Sequence, residues 1–336
     1  MGTKPEKLRI GVIGAGGGIT YGHLKSLLEK PEVEFAALNE PSKENLERMR
    51  KRVPEIAKLP DFADYRQMLD EVKLDGVVIC SPHTAHFQQI MDSLDRGLHV
   101  LTEKPMVCCV ADALKVIEKA KQKKKTVVVA YQRRFQGNYR CLREFVRAPA
   151  FGTPTYLQAY QSQRWHKAVA NTWRTDPKLS GGGQINDSGS HLVDMLFWLM
   201  PSRPVEVCAM MDNRGTKVDV DSTVAFRFAD GCLGSLAVNG SGAARPGWRE
   251  DISITGDNER QVLLRNGQVM FGNGKEFMEV KQFGPDINRA HHWIDVILGK
   301  TENQSPPEEF LPTIAFTEAC WKSAAEGGRL VKVQYK

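Results

Sequence analysis

Two textures of hydrophobic patterning divide this chain. As far as about residue 131, short continuous apolar runs (8–13, 33–38, 76–80, 98–101 and 126–131) alternate with stretches whose apolar positions recur at helical spacing (20–29, 84–96 and 111–121). Continuous apolar strands between amphipathic helices predict a doubly wound parallel sheet covered on both faces. Ligands of such a sheet sit beyond the carboxyl ends of its strands.

Past residue 133 the texture changes to β-type runs at 154–163, 203–211, 219–228, 233–239 and 249–256. Turn signals separate them, among them Asp230-Gly231, Asn239-Gly240, Gly256-Asp257 and Asn266-Gly267. Strands joined by tight turns predict a mostly antiparallel sheet. One apolar helical run, 192–200, must pack on one face of it, and two further helices (288–298, 313–326) and a closing strand (330–335) end the chain, with Pro306-Pro307 as a linker. The other sheet face then stays open, and a subunit partner is the expected cover. The expected fold is α/β followed by α+β: a dinucleotide-binding Rossmann domain over 1–132, then a substrate-binding and oligomerisation domain over 133–336 with helices on one face of its sheet. The predicted assembly is a homodimer or homotetramer built through the open face.

At 336 residues and 41% hydrophobic composition the chain can bury two substantial cores. No basic and apolar leader precedes the run at Leu8, and no apolar stretch approaches the roughly 18 residues that span a bilayer, so a cytoplasmic protein without membrane association is expected. The seven cysteines are scattered and free of metal-binding spacings, which indicates neither a disulfide framework nor a metal site. Net charge is +6, but the densest basic cluster, 119–125, reads as the solvated end of a helix rather than a nucleic-acid surface.

Candidate chemistry begins at the first strand, which runs into Gly14-Ala15-Gly16-Gly17-Gly18 and then a helix. Gly14 allows a tight turn, Gly16 lets the backbone approach a pyrophosphate, and the helix amino terminus can hold that anion. Ile19 stands where the fingerprint has its third glycine, and Gly17 and Gly18 can replace it through a one-residue insertion. Glu40 ends the second strand, where an acidic residue binds the adenosine ribose. A carboxylate there opposes a 2′-phosphate by about 4 kcal/mol for like charges about 4 Å apart at an effective dielectric of about 20, so NAD is expected, with NADP possible. Ser81 and Pro82 follow one strand end, and Glu103, Lys104 and Pro105 follow the next. Both are expected at the cofactor, with Lys104 as a held cation beside the nicotinamide.

In the second half, Gly181-Gly182-Gly183 lead into Asp187, His191 and Asp194, which share one face if the helix starts near Asp187. A carboxylate and an imidazole one turn apart suit proton transfer, and Asp194 is placed to hold the histidine ring from behind. Taken alone, the pair reads first as a helix cap and a half-buried structural histidine, and the rest of the chain is what favours the chemical reading. Trp165, Trp173 and Arg174, with Arg134 after the fifth run, are candidate substrate contacts, since indoles and guanidinium groups suit stacking on and hydrogen bonding to a polyhydroxylated ring.

Five stretches in order, 11–18, 77–82, 99–105 with its Glu-Lys-Pro, 131–135 and 181–194, give the chain a resemblance to the Gfo/Idh/MocA family of NAD(P)-dependent oxidoreductases over nearly its whole length. The resemblance implies a Rossmann domain, an open-faced antiparallel sheet used in oligomer contacts, and a catalytic trio of Lys104, Asp187 and His191. It implies oxidation of a secondary alcohol of a sugar or cyclic polyol, with Lys104 stabilising the alkoxide and His191 as base. Two alternatives within it are a glycosidase that oxidises its sugar transiently with bound NAD, and a non-catalytic cofactor-sensing relative. Ala130-Tyr131 departs from the glycine and histidine or asparagine of many relatives.

Overall fold

The computed structural model describes residues 7–243 and 249–336. They form two compact units: one of residues up to Val107 with Asp112–Ala130 and Ile287–Glu308, the other of Cys108–Ala111, Tyr131–Asp286 and Glu309–Lys336.

The first unit carries β1 (Leu8–Ile13), β2 (Val33–Asn39), β3 (Asp61–Phe62), β4 (Gly76–Ile79), β5 (His99–Thr102) and β6 (Val127–Val129). All neighbours pair in parallel, in the order β3-β2-β1-β4-β5-β6. Every residue of β4 and β6 is buried, as a sheet covered on both faces requires. The connections are helical: α1 (Gly18–Leu28), α2 (Lys43–Arg52), α3 (Tyr65–Glu71), α4 (His86–Asp95) and α5 (Val110–Lys123). In α2, Ser42 accepts the Asn45 N–H at the start, and Arg50, Lys51 and Arg52 meet the negative end of the helix dipole. The strand order reverses between β1 and β4, and the crevice at such a switch point is where doubly wound sheets bind ligands.

In the second unit come α6 (Gly137–Arg147), β7 (Pro154–Ser162), the short helices α7 (Trp165–Ala168) and α8 (Pro177–Ser180), and α9 (Ser190–Leu199). There follow β8 (Pro204–Asp212), β9 (Asp221–Phe228), β10 (Leu233–Asn239), β11 (Arg249–Gly256), β12 (Gln261–Arg265), β13 (Gln268–Gly272) and β14 (Phe277–Val280). The chain then re-enters the first unit as α10 (Arg289–Ile297) and ends in the second as α11 (Leu311–Ala325) and β15 (Val331–Lys332).

These strands form a nine-stranded sheet in the order β14-β13-β12-β11-β7-β10-β9-β8-β15. Only the β7–β10 pair is parallel, because β7 is inserted between strands that follow it much later in sequence. The predicted turn at Asn266-Gly267 joins β12 to β13 with positive φ at both residues, +48° and +88°, the backbone a two-residue hairpin demands. Along β9 burial alternates strictly, and on the buried face Phe226 meets Phe197 of α9 and Phe316 of α11, and Phe228 meets Phe197, at ring separations of 5.1–6.3 Å. Thr223, Ala225 and Arg227 point the other way and are exposed.

The contiguous division expected at 132/133 meets a return of the chain at Ile287. Two anchors hold that return. Trp293 of α10 is fully buried, and a Cβ on Gly76 of β4 would come within 2.9 Å of its ring. Ser305 exchanges hydrogen bonds with Val129, and Asn303 donates to the Val127 carbonyl, so the free edge of β6 is covered.

Arg134 is 1% exposed and bonded to the carboxylate of Asp194 on α9, at 2.9 Å through Nε and 2.6 Å through a terminal nitrogen, with Glu309 as a second partner. Its guanidinium also lies 4.1 Å from the Phe310 ring centre. This buried pair ties the strand-end segment at 131–135 to the middle of α9.

Trp293→Ala is expected to destabilise the first unit by about 3–5 kcal/mol, read from urea unfolding, because the indole leaves a cavity beneath β4. Arg134→Met is expected to cost about 3–5 kcal/mol by stranding the Asp194 carboxylate, and Arg134→Met with Asp194→Leu to recover most of it. A double variant no more stable than the single one would contradict that account.

Candidate active site

Within the first unit, the glycine turn lies against the end of β4. Gly14 has φ +77°, and a Cβ there would stand 2.8 Å from the Cys80 and Ser81 backbone. No side chain but glycine fits at that approach. The first residue of α1 is Gly18 and no side chain caps its start. A Cβ on Gly18 would meet nothing within 4 Å, so the amino terminus of the helix is open to an anion. These features fit a dinucleotide pyrophosphate: a glycine-lined cradle at the amino terminus of a helix that no side chain caps.

Ile19 causes no conflict at the place of the third glycine. It is 42% exposed, and the next residue, Thr20, faces inward with its hydroxyl donating to the Gly14 carbonyl at 2.8 Å. Close packing of helix on turn is therefore met by threonine one position later. Glu40, at the end of β2, accepts the Gly16 N–H at 2.8 Å through one carboxylate oxygen and the Ser42 N–H at 3.1 Å through the other. The acidic residue thus borders the glycine turn directly.

Glu103 is a correction to its expected contact with cofactor. It is 8% exposed and turned inward: one oxygen meets His23 Nε2 of α1 at 2.8 Å and lies 3.6 Å from Arg289 of α10, while the other accepts the Lys104 N–H at 3.3 Å. Burial pushes its carboxyl up, but the His23 hydrogen bond and the charges of His23, Arg289 and Lys104 outweigh it and hold the group well below the usual carboxylate range. Glu103 anchors the backbone that carries Lys104. Ser81 follows β4 and donates its hydroxyl to Gln89 of α4, with Pro82 next in the same turn.

In the second unit the chemistry hangs on the turn at 181–189. Asp219, 5% exposed, accepts N–H groups from Gly183 at 2.9 Å and Ile185 at 2.8 Å, and the indole N–H of Trp321 at 2.9 Å. Gly183 is the only residue type that fits, since a Cβ there would stand 1.9 Å from the Asp219 carbonyl oxygen. Asp219 was not among the expected site residues. It lies at the head of an apolar alternating run, and nothing in its spacing separates it from an ordinary strand-end carboxylate.

The helix begins at Ser190, not near Asp187. Asp187 therefore sits in the preceding turn, its carbonyl accepting the Ser190 hydroxyl at 2.7 Å, and the expected single face of Asp187, His191 and Asp194 is replaced by two arrangements. Asp187 is 4% exposed, and one of its carboxylate oxygens accepts the Trp165 indole N–H at 2.7 Å and the Arg174 Nε–H at 3.0 Å. His191, in the first turn of α9, is half-buried, and the Tyr131 ring lies edge-on to it at 5.7 Å while stacking on Phe310 at 4.7 Å. Asp194 is given over to Arg134, so it does not hold the histidine from behind.

The expected substrate contacts divide in the same way. Trp165 is 4% exposed and packs with Val169, Val218 and Val220, because its indole N–H is claimed by Asp187. Arg134 is sealed in its ion pairs. Arg174 turns to Asp187 with its side chain 35% exposed, and its guanidinium lies 4.4 Å from the centre of the Trp173 ring. Trp165 and Arg174 thus set the orientation and charge of Asp187, a role their spacing in sequence does not reveal.

Comparison with known proteins agrees with this architecture. The model of the oxidoreductase family with an NAD-binding Rossmann fold, GFO_IDH_MocA, matches residues 8–131, and that of the GFO/IDH/MocA C-terminal domain matches 139–260. The rhizopine catabolism protein MocA of Rhizobium meliloti is 30% identical over 59% of this chain and 59% of its own length. A myo-inositol 2-dehydrogenase of Thermotoga maritima is 27% identical over 75% of this chain and 74% of its own. The chain spans about half of some curated relatives it matches, 45% in the case of the putative oxidoreductase YteT of Bacillus subtilis. The same fold occurs in a putative oxidoreductase from Thermotoga maritima, with a TM-score of 0.84 at 20% identity over 97% of this chain and 100% of that one. It occurs also in a levoglucosan dehydrogenase solved with NADH and levoglucosan, with a TM-score of 0.83 at 18% identity over 98% and 100%. With both its halves matched in order, the chain belongs to the Gfo/Idh/MocA oxidoreductase family, and its amino-terminal domain is an NAD-binding Rossmann domain.

Proposed function

We propose that the protein oxidises a secondary alcohol of a sugar or cyclic polyol, with Lys104, Asp187 and His191 as its catalytic residues. The observation that carries this reading is the Asp187 carboxylate, buried, oriented by Trp165 and balanced by Arg174, four residues before a half-buried histidine in the first turn of α9. A packing role alone gives no reason to bury a carboxylate at that cost and point two donors at one of its oxygens. Relatives named inositol 2-dehydrogenase and D-glucoside 3-dehydrogenase support the substrate class.

The nicotinamide, when bound, supplies the hydride acceptor. The chain's own residues manage the hydroxyl. As the carbon gives up its hydride, negative charge builds on the oxygen, and the Lys104 ammonium stabilises it. His191 Nε2 takes the hydroxyl proton, and the alcohol leaves as a ketone. Asp187 accepts a neighbouring hydroxyl of the substrate and fixes which carbon faces the cofactor. Gly14, Gly16, Gly17 and Gly18 would hold the pyrophosphate, Ser81 and Pro82 would border the nicotinamide half, and Glu40 would favour the ribose diol of NAD over the 2′-phosphate of NADP. Seven cysteines at scattered positions without a disulfide spacing suit a reducing compartment, and we assign the chain to the cytoplasm. We further assign the open face of the nine-stranded sheet to a homodimer or homotetramer contact. It holds a shallow trough of about 520 Å³ along Tyr160, Thr223, Ser235, Ala237, Ser253 and Leu263.

With NAD and a panel of inositols, aldoses and sugar acids, NADH absorbance is expected to rise with one substrate class. Lys104→Ala and His191→Ala are each expected to lower kcat/KM by about 10²–10⁴ while NADH binding to His191→Ala stays unchanged. Silence across the panel with wild-type protein would overturn the assignment. Ala237→Arg, in the middle of the open face, is expected to turn the oligomer into monomers in sedimentation, and a wild-type monomer would refute that contact.

A further inference from the structure

His86, the first residue of α4, is fully buried, and each of its ring nitrogens faces a backbone carbonyl. Nδ1 lies 2.8 Å from the Pro105 oxygen and Nε2 lies 3.0 Å from the Ser81 oxygen. A carbonyl oxygen can only accept, so each contact is a hydrogen bond only if that nitrogen carries a proton, and a neutral imidazole has one N–H to give. The two acceptors are not on arbitrary segments. Ser81 follows β4 and Pro105 follows Lys104 beyond β5, so the ring bridges the two strand-end turns that carry the nicotinamide-side residues and the lysine.

We propose that His86 is a positioning residue, a proton-dependent staple that holds both turns while the ring is an imidazolium and only one of them while it is neutral. The inference rests on the roles assigned above to Ser81 and Lys104. The charged and titratable groups around the ring come from two places. Glu103 and Lys104 face it from the turn after β5, and the His83 ring meets it edge-on at 6.0 Å from the turn before α4. Burial is the largest influence and pushes the imidazole down, the two carbonyls and Glu103 push it up, and Lys104 pushes it down, with the net shift downward. The neutral ring therefore prevails at neutral pH and the double staple forms on the acid side. In the neutral state one carbonyl meets a nitrogen lone pair, and the turn it belongs to is released.

Two neutral side chains separate the two ties. Asparagine can place its amide N–H₂ where Nδ1 stands and keep the Pro105 bond, whereas glutamine reaches the position of Nε2 and keeps the Ser81 bond. The experiment uses the full chain and compares wild type, His86→Asn and His86→Gln from about pH 8 down to the lowest pH at which the chain stays folded. NADH affinity is read by fluorescence, kcat and KM by turnover, and the His86 ring nitrogens by ¹⁵N NMR with His86→Asn for assignment. His86→Asn is expected to weaken NADH binding with kcat nearly kept, and His86→Gln to keep NADH binding while kcat falls about 10- to 100-fold. Wild-type NADH binding is expected to tighten toward acid pH as both nitrogens become protonated, and both variants to lose that dependence. Parallel loss of all parameters in the two variants with unchanged pH profiles, or a wild-type ring fixed in one neutral tautomer over the whole range, would overturn the staple. NADH binding and the nitrogen spectrum need no substrate, so their outcome stands apart from failure of the proposed dehydrogenase reaction.

Discussion

The chemistry of the second unit depends on one buried carboxylate. Asp219 gathers the N–H groups of Gly183 and Ile185 and the indole of Trp321, and so fixes a glycine turn that has no regular structure of its own. Backbone donors in such a turn would otherwise be left unsatisfied in the interior, at about 1–3 kcal/mol each. Burial pushes the Asp219 carboxyl up while those three donors push it down, and the first effect is the larger. The tight approach of Gly183 to the Asp219 backbone excludes any other residue there. Everything downstream, from Asp187 through Ser190 to His191, inherits its position from that contact.

A common device serves both units. Side chains of expected chemical roles are held in place by neighbouring buried carboxylates. Glu103 anchors the lysine turn against His23 and Arg289, Asp219 anchors the histidine turn, and Asp194 with Arg134 anchors the helix below it. A buried ion pair gains little in stability over a well-packed apolar substitute, yet breaking one partner is costly. The arrangement therefore makes sense as a constraint on geometry. It penalises every conformation in which a loop drifts from its partner.

The fold was largely legible in the sequence, and the reasons are local. Continuous apolar runs and a glycine turn leave few alternatives to a parallel sheet, and the alternation along β9 and the Asn266-Gly267 turn dictate antiparallel pairing. What the local pattern could not carry is long-range pairing. The start of α9 was misplaced by three residues because the turn before it is stabilised by Asp219, more than 30 positions away. Trp165, Arg134 and Arg174 have the side chains of a sugar-binding surface, but each has a carboxylate partner that no spacing announces: Asp187 for the first and third, Asp194 for the second. The return of α10 to the first unit is likewise invisible locally, since Trp293 is an ordinary helical tryptophan until Gly76 is known to lie against it.

These reassignments sharpen what selects a substrate. With Trp165 and Arg134 committed to the scaffold, the charge at Asp187 is set by how completely Arg174 balances it, and the Arg174 side chain is 35% exposed. An exposed ion pair is worth little and is easily exchanged for water or ligand, whereas the Trp165 bond to the same oxygen is buried. Arg174 is therefore the adjustable member of the set. In the proposed site, an Arg174 drawn toward a ligand would leave the carboxylate oriented by Trp165 but with more net negative charge, which would strengthen its hold on hydroxyl donors and weaken any hold on an anionic group. A neutral polyol and an acidic sugar would thus be met by different states of the same three side chains, with orientation fixed by the indole and charge tuned by the guanidinium.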